Sequence, residues 1–428
     1  MPQVADSILK REITATDDPG SNAAGWWLQA TVFLVSVLLV ISRRPDAVTN
    51  PQFWAEDGTL WYAQAHNLGG WKILFQPVAG YFCTAPRLAA ALAQLVPLAA
   101  APLLFNLVAI FFQVLPVNFF LSSRFASVGT LPTRLLLGFL YLALPNSFDV
   151  NANITNVQWH LALLMCLVVI AEPATSQWWR CFDVSVILLG SLTGPFAILL
   201  WPLAAVAWGW KRRGKWTLVL LLTLAGGALL QVIALLRTGN AARVQGILGA
   251  TPVLFAKILA SQVFLGALLG RNNLPYRHSY TLHAVLITVA GMAALAYALL
   301  RARWELKLFV VLASVILAAA LLNPMANPPK WPALLTAWGV RYWLLPMVAF
   351  VATLLWMAAG NRNPRTVRFI AVAALLLMSV GIVREWRYPR FADLHFGAYA
   401  RQFSDLPKGS SLDIPLNPTG WSMTLTKR

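Results

Sequence analysis

Long apolar runs separated by short polar loops set the pattern of this chain from residue 26 to residue 383. Runs of this length and Leu/Ala/Val character predict membrane-crossing helices, which need about 20 apolar residues each. The pattern places spans at 26–41, 103–121, 133–145, 157–171, 184–193, 196–210, 216–236, 281–300, 306–322, 343–359 and 367–383. That makes an all-α polytopic membrane protein of about eleven spans (about ten to thirteen, since boundaries move by a few residues). Strands of a membrane barrel would instead alternate apolar and polar positions over short stretches. Two further apolar stretches, 86–100 and 252–270, are expected to lie in or against the membrane without crossing it.

Gly and Pro punctuate the pattern. The run Gly190-Ser191-Leu192-Thr193-Gly194-Pro195-Phe196 interrupts residues 184–210 in the middle. Two short helices meeting at Gly194-Pro195 keep the sidedness of the flanking loops consistent, whereas one kinked helix does not. Such non-helical backbone must be buried in protein or line a wet cavity. The chain therefore divides into a polar tail 1–25, a first membrane module 26–215 with loops 42–102 and 146–156, and a second module 216–383 with loops 237–280 and 323–342. A polar tail, 384–428, is too short for a core of its own and is expected to lie on the outer face.

Composition sharpens the class. Hydrophobic residues make up 59% of the chain and charged residues 11%, about half the charge of a soluble domain. The net charge of +18 could indicate nucleic acid, but the basic residues sit in short loops between apolar runs, where membrane orientation explains them. No nucleic-acid partner is expected. Lys211, Arg212, Arg213 and Lys215 form the strongest cytoplasmic anchor, with Arg301, Arg303 and Lys307 a second and Arg362, Arg365 and Arg368 a third. The N-terminus is then inside and the C-terminus outside. Residues 1–25 do not read as a cleavable signal. Cys83, Cys166 and Cys181 have no ligand-like spacing.

Candidate chemistry gathers on the outward loops. Glu56 and Asp57 stand side by side after the first span, in a chain with only 15 acids against 33 Lys and Arg. They serve either as helix-start carboxylates or as a general base at the membrane surface. Two outward segments carry cations and no acid: Arg237, Arg243, Lys257, Arg271 and Arg277 in one, Lys330 and Arg341 in the other. Outward cations of this kind fit a phosphate, whose oxygens take bidentate bonds from Arg. His160 reads as a satisfied histidine at a helix start. There is no phosphate-binding glycine loop, no His-Glu-x-x-His and no Ser/His/Asp set.

Three stretches, in order, resemble the GT-C class of glycosyltransferases. The first is Glu56-Asp57-Gly58-Thr59-Leu60-Trp61-Tyr62-Ala63. The second is the polar loop Asn146-Ser147-Phe148-Asp149-Val150-Asn151-Ala152-Asn153-Ile154-Thr155-Asn156, following a span that ends Leu142-Ala143-Leu144-Pro145. The third is Ser191-Leu192-Thr193-Gly194-Pro195-Phe196 through Leu200-Trp201-Pro202, similar to a Leu-Thr-Lys-Gly-Pro…Pro segment of the protein mannosyltransferase and aminoarabinose transferase branch. The lysine of that segment is missing here, because Thr193 runs directly into Gly194. Arg341-Tyr342-Trp343-Leu344-Leu345-Pro346 is similar to bacterial members of the class. The likeness covers about residues 26–215.

The resemblance implies a GT-C-like fold in the inner (plasma) membrane and a polyprenyl-phosphate-linked sugar donor. The acceptor would be a glycan, lipid or protein of the cell envelope. Glu56 or Asp57 would be the catalytic base. Arg341 would hold the donor phosphate, with Arg271, Arg277, His278 and Lys330 as further candidates and Asp149 and Asn156 from the second loop beside them. No cofactor or metal is expected; a divalent cation, if used, would sit on Asp149 with Glu56 or Asp57. A polysaccharide polymerase or ligase, and a lipid or solute transporter, are the alternatives.

Overall fold

The structure, a computed structural model, describes residues 25–238, 245–271, 273, 280–336 and 339–428. Its transmembrane frame begins with α1 (Trp26–Arg43). A long segment carrying short helical turns then leads to α2 (Thr84–Ala93) and α3 (Ala101–Phe120). Four shorter helices follow: α4 (Leu131–Leu142), α5 (Val157–Ile170), α6 (Gln177–Ser191) and α7 (Phe196–Trp210). The second module holds α8 (Lys215–Thr238), α9 (Pro252–Leu269), α10 (Thr281–Arg301), α11 (Trp304–Leu322), α12 (Leu344–Ala359) and α13 (Arg365–Arg384). Among the described residues, eight helices are long and apolar enough to cross a membrane. This is a nearly all-α, polytopic membrane architecture.

Burial follows from what each helix must face. On α1, α8 and α13, large apolar side chains such as Leu38, Leu222 and Phe369 point outward, as lipid permits. By contrast α12 is buried on nearly all sides, from Leu344 to Leu355, and forms the axis of the bundle. Gly381 on α13 lets the end of α9 approach closely: a Cβ there would lie 2.3 Å from the Leu268 carbonyl oxygen.

Contacts between loops sort the helix ends onto two faces. Arg43 at the end of α1 donates to the Leu142 and Leu144 carbonyls at the end of α4 (2.6 and 3.0 Å) and to the Glu385 carbonyl after α13 (3.3 Å). Arg341, just before α12, meets Asp149. These ends share one face. The opposite face carries the ion pairs Arg124–Asp183, Arg212–Glu172 and Arg303–Glu305, with Trp26, Trp27, Trp178 and Trp210 exposed at the helix ends there. Interfacial tryptophans are characteristic of such a level.

Both flanks of α9 lie on the first face. Ile247 and Leu248 accept backbone bonds from Lys330 and Trp331, and Arg271 approaches Glu385 (3.7 Å). This helix, long and apolar enough to cross, thus has both flanks against loops that meet on the first face.

Three expectations change. The chain is not wholly α: after a helix α14 (Phe396–Asp405), the tail forms an antiparallel hairpin of β1 (Ser411–Leu416) and β2 (Trp421–Thr426). This tail also packs specifically rather than merely resting on a surface, because Phe396, Phe403, Ile414 and Leu416 are buried in the common core. And α6 begins at Gln177, seven residues before the expected 184, because its charges are neutralised in place. Asp183 is fully buried and accepts two bonds from Arg124 (2.6 and 2.9 Å).

The break between α6 and α7 is a true turn. Gly194 adopts φ +81°, its N–H donates to the Phe82 carbonyl (2.9 Å), and Thr84 N–H donates to the Leu192 carbonyl (2.9 Å). A Cβ at Gly194 would stand 2.3 Å from the Gln158 side-chain oxygen. Only glycine suits both the dihedral and the space.

Candidate functional site

The segment 50–69 reaches the site through a backbone bend. Ala55 sits at φ +43°, a conformation uncommon for a residue with a side chain. It is held there by the tail: Ala55 N–H donates to the Asn417 carbonyl, and Asn417 N–H to the Phe53 carbonyl (3.3 Å). Leu416 covers Gly58, and Asn417 also bonds the Gln52 side chain (3.1 Å). The bend sends the two adjacent acids in different directions.

Asp57 points inward and is fully buried. Its Oδ1 accepts from the Thr155 N–H (2.9 Å) and the Thr155 hydroxyl (2.6 Å), and its Oδ2 from the Ile154 N–H (3.4 Å). Trp61 Nε1 donates to the same hydroxyl (2.9 Å). Asp57 therefore staples the acidic segment to the Asn-rich loop 146–156. Burial pushes its pKa up to about 7, against the opposing Thr155 bonds and with a smaller upward push from Glu56.

This fixes a sign. The protonated acid favours the fold, so its contribution is complete below the unfolded value of about 4 and is lost as pH rises to about 7. Asp57→Asn keeps an oxygen for Thr155 and removes the titration. Thermal unfolding across pH 4 to 8 is expected to show a shallower decline for the variant than for the wild-type protein; identical slopes would contradict this account of Asp57.

Glu56 is half-buried and has no hydrogen bond or ion pair among the described residues. Its charge, with Asp149 and the Tyr81 phenol, lies within electrostatic range of Arg341. Arg341 follows Gly339, which takes a left-handed conformation, and its Nη1 stands 3.4 Å from Asp149 Oδ2. Next to Asp149, Phe148 lies under the Arg271 guanidinium, 4.3 Å from ring centroid to cation. Glu385 completes this corner: its Oε2 accepts from Asn146 N–H (2.7 Å), and its Oε1 accepts from the Arg271 backbone N–H.

Asparagines hold the loop itself. Asn153 and Asn156 both donate to the Asp149 carbonyl (2.6 and 2.8 Å), and Asn153 Oδ1 accepts from Asn156 N–H (3.0 Å). Asn156 is buried, so it shapes the Asp149 turn from within. His160 beneath the loop contacts the Val150 carbonyl (2.9 Å) and the Tyr141 hydroxyl (2.7 Å), a satisfied histidine as its sequence setting suggests.

Of the expected site residues, Glu56, Asp57, Asp149, Asn156, Arg271 and Arg341 come together around the loop. Lys330 is buried at the start of a short helix, and no bond or ion pair links it to Glu56, Asp149 or Arg341. Arg277 and His278 lie outside the described residues. Among the described residues, no three His, Cys, Asp or Glu side chains gather as a metal ion would need.

Sequence reasoning missed Arg44 and the tail. Arg44 is buried in a cage of Trp54, Tyr388 and Phe391, with its guanidinium 5.6, 5.6 and 4.8 Å from the ring centroids. Asp46, Asp149 and Arg271 lie within electrostatic range of it. The adjacent pair Arg43-Arg44 at the outward end of the first span was the available signal. Nothing local pointed to Glu385, Tyr388 or Asn417.

The arrangement joins an uncommitted carboxylate, a guanidinium with donors to spare and a second cation stacked on an aromatic ring. It can take a proton and hold an anion at one face of a membrane bundle. Against known proteins, no family model matches the chain, and no curated protein matches it significantly.

Proposed function

We propose that this chain is an integral membrane glycosyltransferase. It moves a sugar from a polyprenyl-phosphate carrier to an acceptor hydroxyl on the extracytoplasmic face of the plasma membrane. The observation that carries the reading is the Glu56 carboxylate, without hydrogen bond or ion pair among the described residues, within electrostatic range of Arg341 in the Arg341–Asp149 pair. The orientation follows from the cations of the opposite face, which belong inside.

The geometry supports a division of labour within the acidic pair. Asp57 is spent on Thr155 and Ile154, so the base is Glu56. The acceptor O–H gives its proton to the Glu56 carboxylate, and the acceptor oxygen attacks the anomeric carbon. The bond from that carbon to the phosphate oxygen breaks, polyprenyl phosphate leaves with the electron pair, and the configuration inverts. Arg341 meets the charge growing on the departing phosphate. Asp149 holds Arg341 in place, and Arg271 adds positive potential beside it. A membrane-level site suits the donor, whose prenyl chain stays in lipid while the phosphate reaches the loops.

Lipid extracted with the purified protein is the experiment. Mass spectrometry is expected to find a polyprenyl phosphate, free or glycosylated, retained by wild-type protein and depleted in Arg341→Ala. Equal retention by both, or only bulk phospholipid in the wild type, would remove the support for a lipid-phosphate donor.

A further inference from the structure

A cavity lies away from Glu56. It has a volume of about 410 Å³ and runs between α3, α4 and α5 on one side and α11 and α12 on the other. Leu137, Leu163, Leu167, Phe309, Val348 and Leu355 supply apolar walls. It ends near Tyr141, in the bundle interior, and its mouth is at the opposite face, at Thr130, Thr133, Arg134, Arg303 and Glu305. From Val348 to Ala359 it follows α12 for about 16 Å.

Protein interiors pack densely, and voids larger than a water molecule are few. A cavity of this size would hold roughly a dozen waters, yet its walls offer them almost no polar partners. Apolar cavities stay dry and accept apolar guests. The shape, long and parallel to the helices with one polar end, matches an acyl chain with its head group at the mouth.

Charge identifies the head group. Among the described residues, the acids of this face, Glu172, Asp183 and Glu305, are each already paired with an arginine. Arg301, Lys307, Arg362, Arg365 and Arg368 near the mouth make no ion pair among the described residues. Such a surface favours an anionic lipid over a zwitterionic one.

We propose that this cavity holds one acyl chain of an anionic phospholipid, its head group on the cationic surface of α10–α13 opposite the Glu56 face. The lipid fills the space between α4 and α12, whose outward ends carry the site loop and Arg341. It is therefore a resident of the fold and distinct from any donor. The proposal stands independently of the transferase reading.

The test uses delipidated full-length protein and native mass spectrometry with phosphatidylglycerol, phosphatidylcholine and polyprenyl phosphate as separate probes. One phosphatidylglycerol is expected to remain bound at about tenfold lower concentration than phosphatidylcholine. Ala352→Phe, which fills the cavity, is expected to lose that one lipid. Arg362→Gln with Arg365→Gln is expected to keep a lipid and lose the preference. A photoactivatable acyl-chain phosphatidylglycerol, added to wild-type protein, is expected to label peptides containing Leu163 or Leu355, which covers the case in which Ala352→Phe does not fold. Labelling confined to outward residues such as Leu222 and Leu286, equal affinity for both phospholipids, or displacement of phosphatidylglycerol by polyprenyl phosphate at equal concentration would overturn the proposal.

Discussion

Glu56→Gln is expected to lower sugar transfer by about 10²–10⁴-fold, the usual worth of a positioned general base. Donor binding and thermal stability are expected to stay near the wild-type values. The side chain is half-buried and makes no hydrogen bond or ion pair among the described residues, so the amide leaves no partner stranded. Asp57→Asn separates the two acids, because that variant loses part of the pH dependence of its unfolding transition while its transfer falls less than that of Glu56→Gln. Steady-state transfer rates together with donor titrations decide the matter. If Asp57→Asn loses transfer and Glu56→Gln keeps it, the roles assigned to the pair are reversed.

Arg341→Ala is expected to have the second largest effect. Removing one donor to a developing oxyanion typically costs about 10²–10³-fold in turnover. Here donor affinity is expected to fall as well, because the cation already meets the phosphate before the reaction. The loss also leaves Asp149, 3.4 Å away, without its ion-pair partner. Arg341→Lys keeps the charge but not the planar fork and is expected to recover binding more than turnover. A variant that changes turnover alone would place the phosphate elsewhere.

The apolar helices were legible because apolar runs in a bilayer depend on local composition; the sequence pattern placed eleven spans, whereas eight helices among the described residues are long and apolar enough to cross. The turn at Gly194-Pro195 was legible for a similar reason, since Gly and Pro act on their own backbone. The start of α6 was not. Asp183 looked like an end to the apolar run, and Arg124, 59 residues away, with a weaker bond from Trp216, makes it tolerable inside. The acidic pair was visible, but the separation of its members was not. That separation depends on the Thr155 and Ile154 N–H groups and on the Ala55 bend, which Asn417 holds from the far end of the chain. Gln52 and Asn417 are 365 residues apart, and no periodicity links them. Arg44 went unread because a cation at a span end looks like a topological marker until aromatic rings from two segments are seen around it.

The central claim is that sugar passes from a lipid phosphate to an acceptor at the Glu56 face. Purified protein in sealed vesicles, sorted by which face is outward, tests it most directly. With labelled polyprenyl-phosphate sugar in the bilayer and an impermeant acceptor outside, label is expected on the acceptor only where the C-terminal hairpin faces out, with inverted anomeric configuration. No label in either orientation across hexosyl and pentosyl donors, or transfer only where the Lys211–Lys215 loop faces out, would contradict the account.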